Sequence, residues 1–354
     1  MTGKERIMAA LDRQEPDYTP TMEWILSKKV MKAAYGTEDD IEFSKIAGLD
    51  ALAISLDGKN RAVLDGGEKF IDEWGITRAL NQEYPIPVVH PIEEMSDFEA
   101  MEIPDPSASY HYQKIKRALK EVGEEKAIVG RVKDVVSMPR DLMGFEGFLE
   151  SFYTQPELVT ALMKMSCDYS CVVCDCLRDL GIKVIVLGDD IANNNSLLMS
   201  PAMYREMVLP HFAKLVQHAK KLGIKVIKHS DGDLNAIVED LIGAGIDCLD
   251  PIDKRGHMNM RELKNKYGRQ IAFKGNVDCV ETLVSKPLAA VRQETAQAIL
   301  EGGIGGGLIV SSSNSIHAGV NPENWKYFLE IRKELGRYPL DIASLEKIAN
   351  EKIS

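Results

Sequence analysis

No apolar run in this chain approaches the roughly 18 residues that a membrane-spanning helix needs, so a soluble protein is expected. A cationic surplus is missing as well. Lys and Arg number 43 against 54 Asp and Glu, a formal net charge of −11, and no long basic tract interrupts that balance. Nucleic acid and anionic membrane both need a basic footprint, so neither is an expected partner. The residues after Met1–Arg6 lack the apolar core of a secretory signal, and the expected location is the cytoplasm. Linkers, low-complexity segments and long-period repeats are also absent, and the 354 residues are expected to form one domain, residues 1–354.

Cysteine is scarce: six in all, at 167, 171, 174, 176, 248 and 279. Four of them crowd between Cys167 and Cys176, which suggests a metal cluster. The segment from Glu157 to Leu180 nevertheless keeps unbroken helical periodicity. Cys167, Cys171 and Cys174 fall at i, i+4 and i+7, the spacing of one buried helix face. Core packing is the expectation for them, and a reducing cytosol implies no disulfide framework.

What the chain does have is alternation of short apolar runs with long amphipathic stretches, the pattern of parallel strands joined by helices. Five runs stand out, each ending in polar residues. Lys183–Leu187 leads to Gly188, Asp189 and Asp190, and Lys225–Ile227 leads to Lys228, His229, Ser230 and Asp231. Ile246–Leu249 ends at Asp250 and Gln270–Phe273 at Lys274. Gly307–Val310 leads through three serines to Asn314. Helices are expected over 201–222, 233–244, 259–266, 287–302 and 322–336. Three more strands are read at Tyr18–Glu23, Ala51–Leu56 and Lys126–Val132, which makes eight. Glu68–Arg78 into Tyr84–Val89 is read as a hairpin excursion beside the barrel. The expected fold is therefore α/β, a single (β/α)8 TIM barrel with N-terminal helical and hairpin excursions.

Chemistry in such barrels sits at the carboxyl ends of the strands. His229 and Asp231 lie two residues apart there, so extended backbone points both side chains the same way. The structural alternative is a helix cap with a core histidine. Asp189 and Asp190 follow a strand directly, and alternation lets only one face the barrel axis; Asp189 is the expected one. Asp189, His229, Asp231 and Asn314 are the candidate catalytic residues. Glu23, Trp24, Asn193, Lys274 and Asp250 are the candidate substrate contacts, with Lys133 and Asp278 behind them. If an ion binds, His229 and Asp231 are its expected ligands. Gly305–Gly307 precedes a strand instead of following one, the wrong order for a phosphate-binding loop.

Several segments carry a resemblance. Lys4–Leu11, Glu15–Pro20, Phe70–Thr77, Ser200–Arg205 with Leu209 and Pro210, Lys228–Asp233, and Ile271–Asp278 together resemble the uroporphyrinogen decarboxylase superfamily over nearly the whole chain. That superfamily holds porphyrinogen decarboxylases and corrinoid-dependent methyltransferases. The decarboxylases carry an arginine-rich stretch after the first strand for the substrate's carboxylates, whereas Thr21–Ser27 here holds no arginine. The coenzyme M methyltransferases bind zinc through a His-x-Cys pair and a later cysteine. Here His229 is kept, Asp231 stands at the first cysteine's place, and Asn314 falls near the last. Soft thiolates favour zinc, so thiol activation by zinc is not expected.

The resemblance then implies an O-demethylase-type methyltransferase. It would move a methyl group from a methoxylated, aromatic compound to the Co(I) corrinoid (a cobalamin) of a separate corrinoid protein docked over the barrel mouth. A homodimer is compatible with the resemblance. The alternatives are a metal-assisted lyase or hydrolase and a divergent porphyrinogen decarboxylase on the same barrel.

Overall fold

Alternation along the strands builds two separate apolar layers. The computed structural model describes residues 1–80 and 85–353. Its strands are β1 (Ala51–Ser55), β2 (Asn60–Leu64), β3 (Lys69–Asp72), β4 (Thr77–Ala79), β5 (Ile86–Val89), β6 (Ala127–Lys133), β7 (Val184–Gly188), β8 (Lys225–His229), β9 (Cys248–Asp250), β10 (Ala272–Val277) and β11 (Leu308–Ser312). Seven of them, in the order β1-β6-β7-β8-β9-β10-β11, form one parallel sheet. One row of side chains, including Ala51, Val129, Val186, Ile227, Cys248 and Ile309, clusters inside the curled sheet. The opposite row, with Ile54, Leu187, Val226, Leu249 and Phe273, packs outward against the helices. This is the α/β barrel expected.

The expected first strand, Tyr18–Glu23, forms no ladder. It nevertheless fills the gap between β11 and β1. Val310 N–H donates to the Pro20 carbonyl at 2.9 Å, and Asp50 N–H donates to the Thr21 carbonyl at 3.0 Å. Pro20 has no N–H to give, and the Thr21 N–H goes instead to the Asp50 carboxylate at 2.9 Å. Side-chain bonds thus replace the ladder, and the eighth place is held by an irregular segment. The helix Gly3–Leu11 starts on a capping box of Thr2 and Glu5 and buries Ile7, Ala10 and Leu11 against the amino-terminal ends of the inner row.

The excursion is larger than a hairpin. β2, β3, β4 and β5 form a four-stranded antiparallel sheet, of which β2 escaped the sequence reading. Tyr84, at the start of the expected second arm, lies outside the described residues. The helices fall near their expected places: Pro156–Asp179, Leu209–Lys221, Met260–Tyr267, Leu288–Gly302 and Pro322–Leu335. The segment expected over 233–244 becomes regular α-helix only at Val238–Ala244. Within Pro156–Asp179 the cysteine face is narrower than expected: Cys167 and Cys174 are buried, while Cys171 and Cys176 are half-exposed. Among the described residues no helix is long and apolar enough to cross a membrane.

Candidate active site

The phase of each inner row decides which polar group reaches the barrel mouth. Ile227 points inward, so His229, two residues on, does too, and Lys228 between them points out. By the same count Asp250 extends the inward row of Cys248, and Lys274 that of Ala272. These three meet. His229 Nδ1 lies 2.8 Å from Asp250 Oδ2, and Lys274 Nζ donates to Asp250 Oδ1 at 2.7 Å. Asp250 and Lys274 are both buried. Burial works against the Asp250 carboxylate, but the adjacent Lys274 ammonium and His229 overcome it and hold its pKa at about 2.

Trp24 stacks on the His229 ring, with centroids 4.0 Å apart and planes 17° apart. The Arg131 guanidinium also lies over the Trp24 ring, at 4.3 Å. Gly188 makes room for this stack, because a Cβ there would sit 2.8 Å from the indole. Glu23, next to Trp24, is buried and takes Ser312 Oγ at 2.5 Å. Burial pushes its carboxyl up, with Lys274 and Ser312 pulling the other way.

Asp231 follows His229 at the mouth. Its Oδ2 accepts from Asn314 Nδ2 at 2.5 Å, while Oδ1 is buried without a hydrogen-bond partner among the described residues and sits 3.8 Å from His229 Nε2. Burial raises its carboxyl to about 6, with His229 opposing and Asp190, Asp253 and Asp250 adding to the rise. His229, Asp231 and Asn314, separated by as many as 85 residues in sequence, are therefore neighbours at one end of the barrel.

Asp189 departs from expectation. Gly188 takes the inward position on β7, so the Asp189 carboxylate turns out behind the sheet. There it contacts Lys228 Nζ, which also donates to Asp134 Oδ2 at 2.6 Å. Asp189, Lys228 and Asp134 are all buried. Burial and Asp134 push the Asp189 carboxyl up against the pull of Lys228. Asp190 takes its place at the mouth. It adopts φ of +64°, a left-handed conformation that Asp tolerates better than most residues. Arg140 fixes that turn, donating to the carbonyls of Asp189 at 2.5 Å and Asp190 at 3.2 Å.

Asn193 also departs from expectation. Its Oδ1 accepts from Asn195 N–H at 2.8 Å and Ser196 N–H at 3.1 Å, closing its own exposed turn. Asp250 and Lys274 lie behind His229 and not on the cavity wall, and Asp278 caps Val280 N–H at 2.7 Å. A cavity of about 720 Å³ opens over the site, with Trp24, His229 and Asp190 on its floor and Trp74, Tyr169 and Met138 among its walls. Phe70, Arg78 and Pro87 of the antiparallel sheet form part of its rim. A chain of ions clasps that sheet to the barrel: Arg78 meets Asp72 at 2.6 Å and Asp141 at 3.1 Å, and Lys133 meets Asp141 at 2.8 Å.

Sequence reasoning missed Asp190, Arg140, Arg131 and Arg78. Only Asp190 carried a readable signal, as the alternative to Asp189.

One histidine nitrogen and two carboxylates, from Asp190, His229 and Asp231, bring a ligand atom each within 4.8 Å of one another. The unpartnered Asp231 Oδ1 between them makes this donor set fit a divalent ion. Its hard oxygens differ from the thiolates that a soft site would offer.

The family model for uroporphyrinogen decarboxylase (URO-D) matches residues 2–335. A methylcobamide:CoM methyltransferase, MtaA of Methanosarcina barkeri, is 25% identical over 190 residues, which cover 54% of this chain and 54% of that protein. The chain thus aligns with about half the length of that relative. The uroporphyrinogen decarboxylase of Aeromonas salmonicida (strain A449) is 22% identical over 94% of this chain and 96% of its own. In three dimensions a methyltransferase from Methanosarcina mazei superposes with a TM-score of 0.74 at 20% identity, covering 94% of this chain and 99% of that one. That likeness speaks to the fold. The family match, running across both the barrel and the antiparallel sheet, shows that the chain belongs to the uroporphyrinogen decarboxylase family.

Proposed function

We propose that this chain is a corrinoid-dependent methyltransferase that takes a methyl group from a methoxylated, aromatic compound and passes it to the Co(I) centre of a partner corrinoid protein. The observation that carries the reading is the convergence of His229, Asp190 and Asp231, the first two of which line a cavity walled by aromatic rings. About 720 Å³ suits one small ligand and leaves no room for a corrinoid beside it, so the corrinoid would approach through the open mouth. The MtaA relative is named for methyl transfer involving a methylcobamide.

Co(I) supplies the nucleophile, and the chain's task is the other half of the reaction. As the methyl–oxygen bond breaks, its electron pair stays on the oxygen, which must gain a proton to leave as the alcohol or phenol. Asp231, raised towards neutrality, is placed to give that proton, and Asn314 orients its carboxyl. Trp24 and Tyr169 would bracket the substrate ring. An ion held by His229, Asp231 and Asp190 would polarise the ether oxygen to the same end.

A second reading, a divergent porphyrinogen decarboxylase, draws on the near full-length match to the A. salmonicida enzyme. The stretch Thr21–Ser27, without arginine, argues against it. The test is spectroscopic: reduced cobalamin is mixed with the protein and a series of methoxylated benzenes. Consumption of Co(I) with release of the matching phenol is expected. Phenol released without corrinoid would replace the reading with a hydrolase, and carbon dioxide from a porphyrinogen would replace it with the second reading.

A further inference from the structure

We infer that Asp250 and Lys274 are positioning residues that fix the tautomer of His229, holding the proton on Nδ1 and presenting the bare Nε2 to the cavity. The inference rests on the reading of His229 as part of the active site, but its test does not.

Asp250 has no exposed surface, and both its oxygens are committed: Oδ2 to His229 Nδ1 at 2.8 Å and Oδ1 to Lys274 Nζ at 2.7 Å. A buried carboxylate is tolerated only when its charge is matched, and the buried ammonium of Lys274 matches it. An ionised carboxylate accepts hydrogen bonds and cannot donate one. The Nδ1 facing it must therefore carry the hydrogen, and a neutral imidazole then has its lone pair on Nε2.

The ring cannot turn to escape this. Trp24 lies against its face at 4.0 Å, and Gly188 admits the indole so closely that a Cβ would collide with it. Among the described residues Nε2 has no hydrogen-bond partner; the nearest carboxylate oxygen, on Asp231, is 3.8 Å away, beyond hydrogen-bond range. The consequence is a division of labour. In its neutral form His229 accepts a hydrogen bond or binds an ion through Nε2, and it does not supply the leaving-group proton. That role passes to Asp231.

The substitution Asp250→Asn separates positioning from packing. The introduced amide oxygen would stay with the Lys274 ammonium, which can only donate. Its NH2 would then face Nδ1, drive the proton across to Nε2, and turn an acceptor towards the cavity into a donor. Asp250→Glu keeps an acceptor and should restore the original tautomer.

The measurement is ¹⁵N-histidine NMR of the full chain at about pH 8.5, where histidines of ordinary pKa are neutral, with His229→Gln identifying the resonance among the seven histidines. In the unsubstituted protein the Nδ1-protonated form is expected. Asp250→Asn should show the Nε2-protonated form together with a loss of about 10–100-fold in kcat, the usual effect of a ligand-orienting partner, and Asp250→Glu should recover both. An Nε2-protonated ring in the unsubstituted protein overturns the inference, and so does an unchanged tautomer in Asp250→Asn. If Asp250→Asn fails to fold, the spectrum of the unsubstituted protein still decides. No methyl donor or corrinoid enters the NMR experiment, so it stands or falls apart from the methyl-transfer reading.

Discussion

Two buried lysines, Lys228 near the carboxyl end of β8 and Lys274 midway along β10, each meet aspartate. Lys228, on β8, points out of the barrel and divides one ammonium between Asp134 and Asp189. Lys274, on β10, points in and serves one carboxylate, whose other oxygen holds His229. The outer group is sealed beneath helices, with Tyr204 buried nearby and the Phe212 ring 5.0 Å from the ammonium. The inner group ends at a cavity. The same residue types are therefore placed differently, and strand phase alone decides which group is sealed behind the sheet and which stands behind His229 at the cavity.

The sharpest way to break this comparison is at the inner site. Asp231→Asn keeps size and can still bond to Asn314, but it has no proton to give. The methyl-transfer rate should fall by about 10²–10⁴, the usual contribution of a positioned acid, with the urea midpoint nearly unchanged. The loss should shrink for substrates with better leaving groups. Turnover within a few-fold of the unsubstituted rate for every leaving group would return Asp231 to a capping role.

At the outer site the damage should be to the fold. Lys228→Met strands two buried carboxylates without a cation, a cost of about 3–5 kcal/mol, read as a lower denaturation midpoint. Adding Asp134→Asn and Asp189→Asn to Lys228→Met should recover much of it. A stable, inactive Lys228→Met protein would mean that the outer group also serves catalysis.

The two inner carboxylates respond to pH in opposite directions. Asp231 is raised to about 6 when folded and has about 3.9 as its unfolded value. Its protonated form is favoured in the native state, so its contribution to stability is complete below about 3.9 and lost as pH rises through 6. As an acid it should likewise give a rate that is level below pH 6 and falls about tenfold per unit above it. Asp250, lowered to about 2, contributes stability above about 3.9 that is lost as pH falls through 2. A pH–rate profile that rises above pH 6 would contradict the acid role.

The smallest effect is expected at Asn193. Asn193→Ala removes two turn hydrogen bonds at an exposed loop, about 1 kcal/mol of stability, and should leave KM unchanged. A raised KM would restore its expected place against substrate.

Which of these residues could be read beforehand follows from how each strand begins and ends. The runs of β7 and β11 open on three or more consecutive apolar residues, and β8 carries only Val226 and Ile227 between lysines, but each run ends in polar residues, so the place of His229, Asp231 and Asn314 at strand ends is legible. The segment at Pro20 was misread as a strand because its alternation is right, while its hydrogen bonds go to the Asp50 side chain and the neighbouring backbone. The choice between Asp189 and Asp190 turned on whether β7 ran one residue further. Nothing local marks the left-handed turn at Asp190, which is held by Arg140 from 50 residues away. β2 escaped because Asn60–Leu64 is short and partly exposed, and gains its order from pairing with β3.

The four-stranded sheet between β1 and β6 has a consequence for how this protein could change. It contributes Phe70, Arg78 and Pro87 to the cavity rim but none of the residues on which proton transfer is proposed to depend. Among the described residues its strands pair only with one another, in sequence order, and an ion chain through Arg78 and Asp141 secures it to the barrel. Such an insert behaves as an exchangeable cassette. Drift in residues 60–89 can reshape the space offered to a substrate while the barrel's chemistry is inherited intact, so that specificity and reactivity are free to diversify on separate evolutionary clocks.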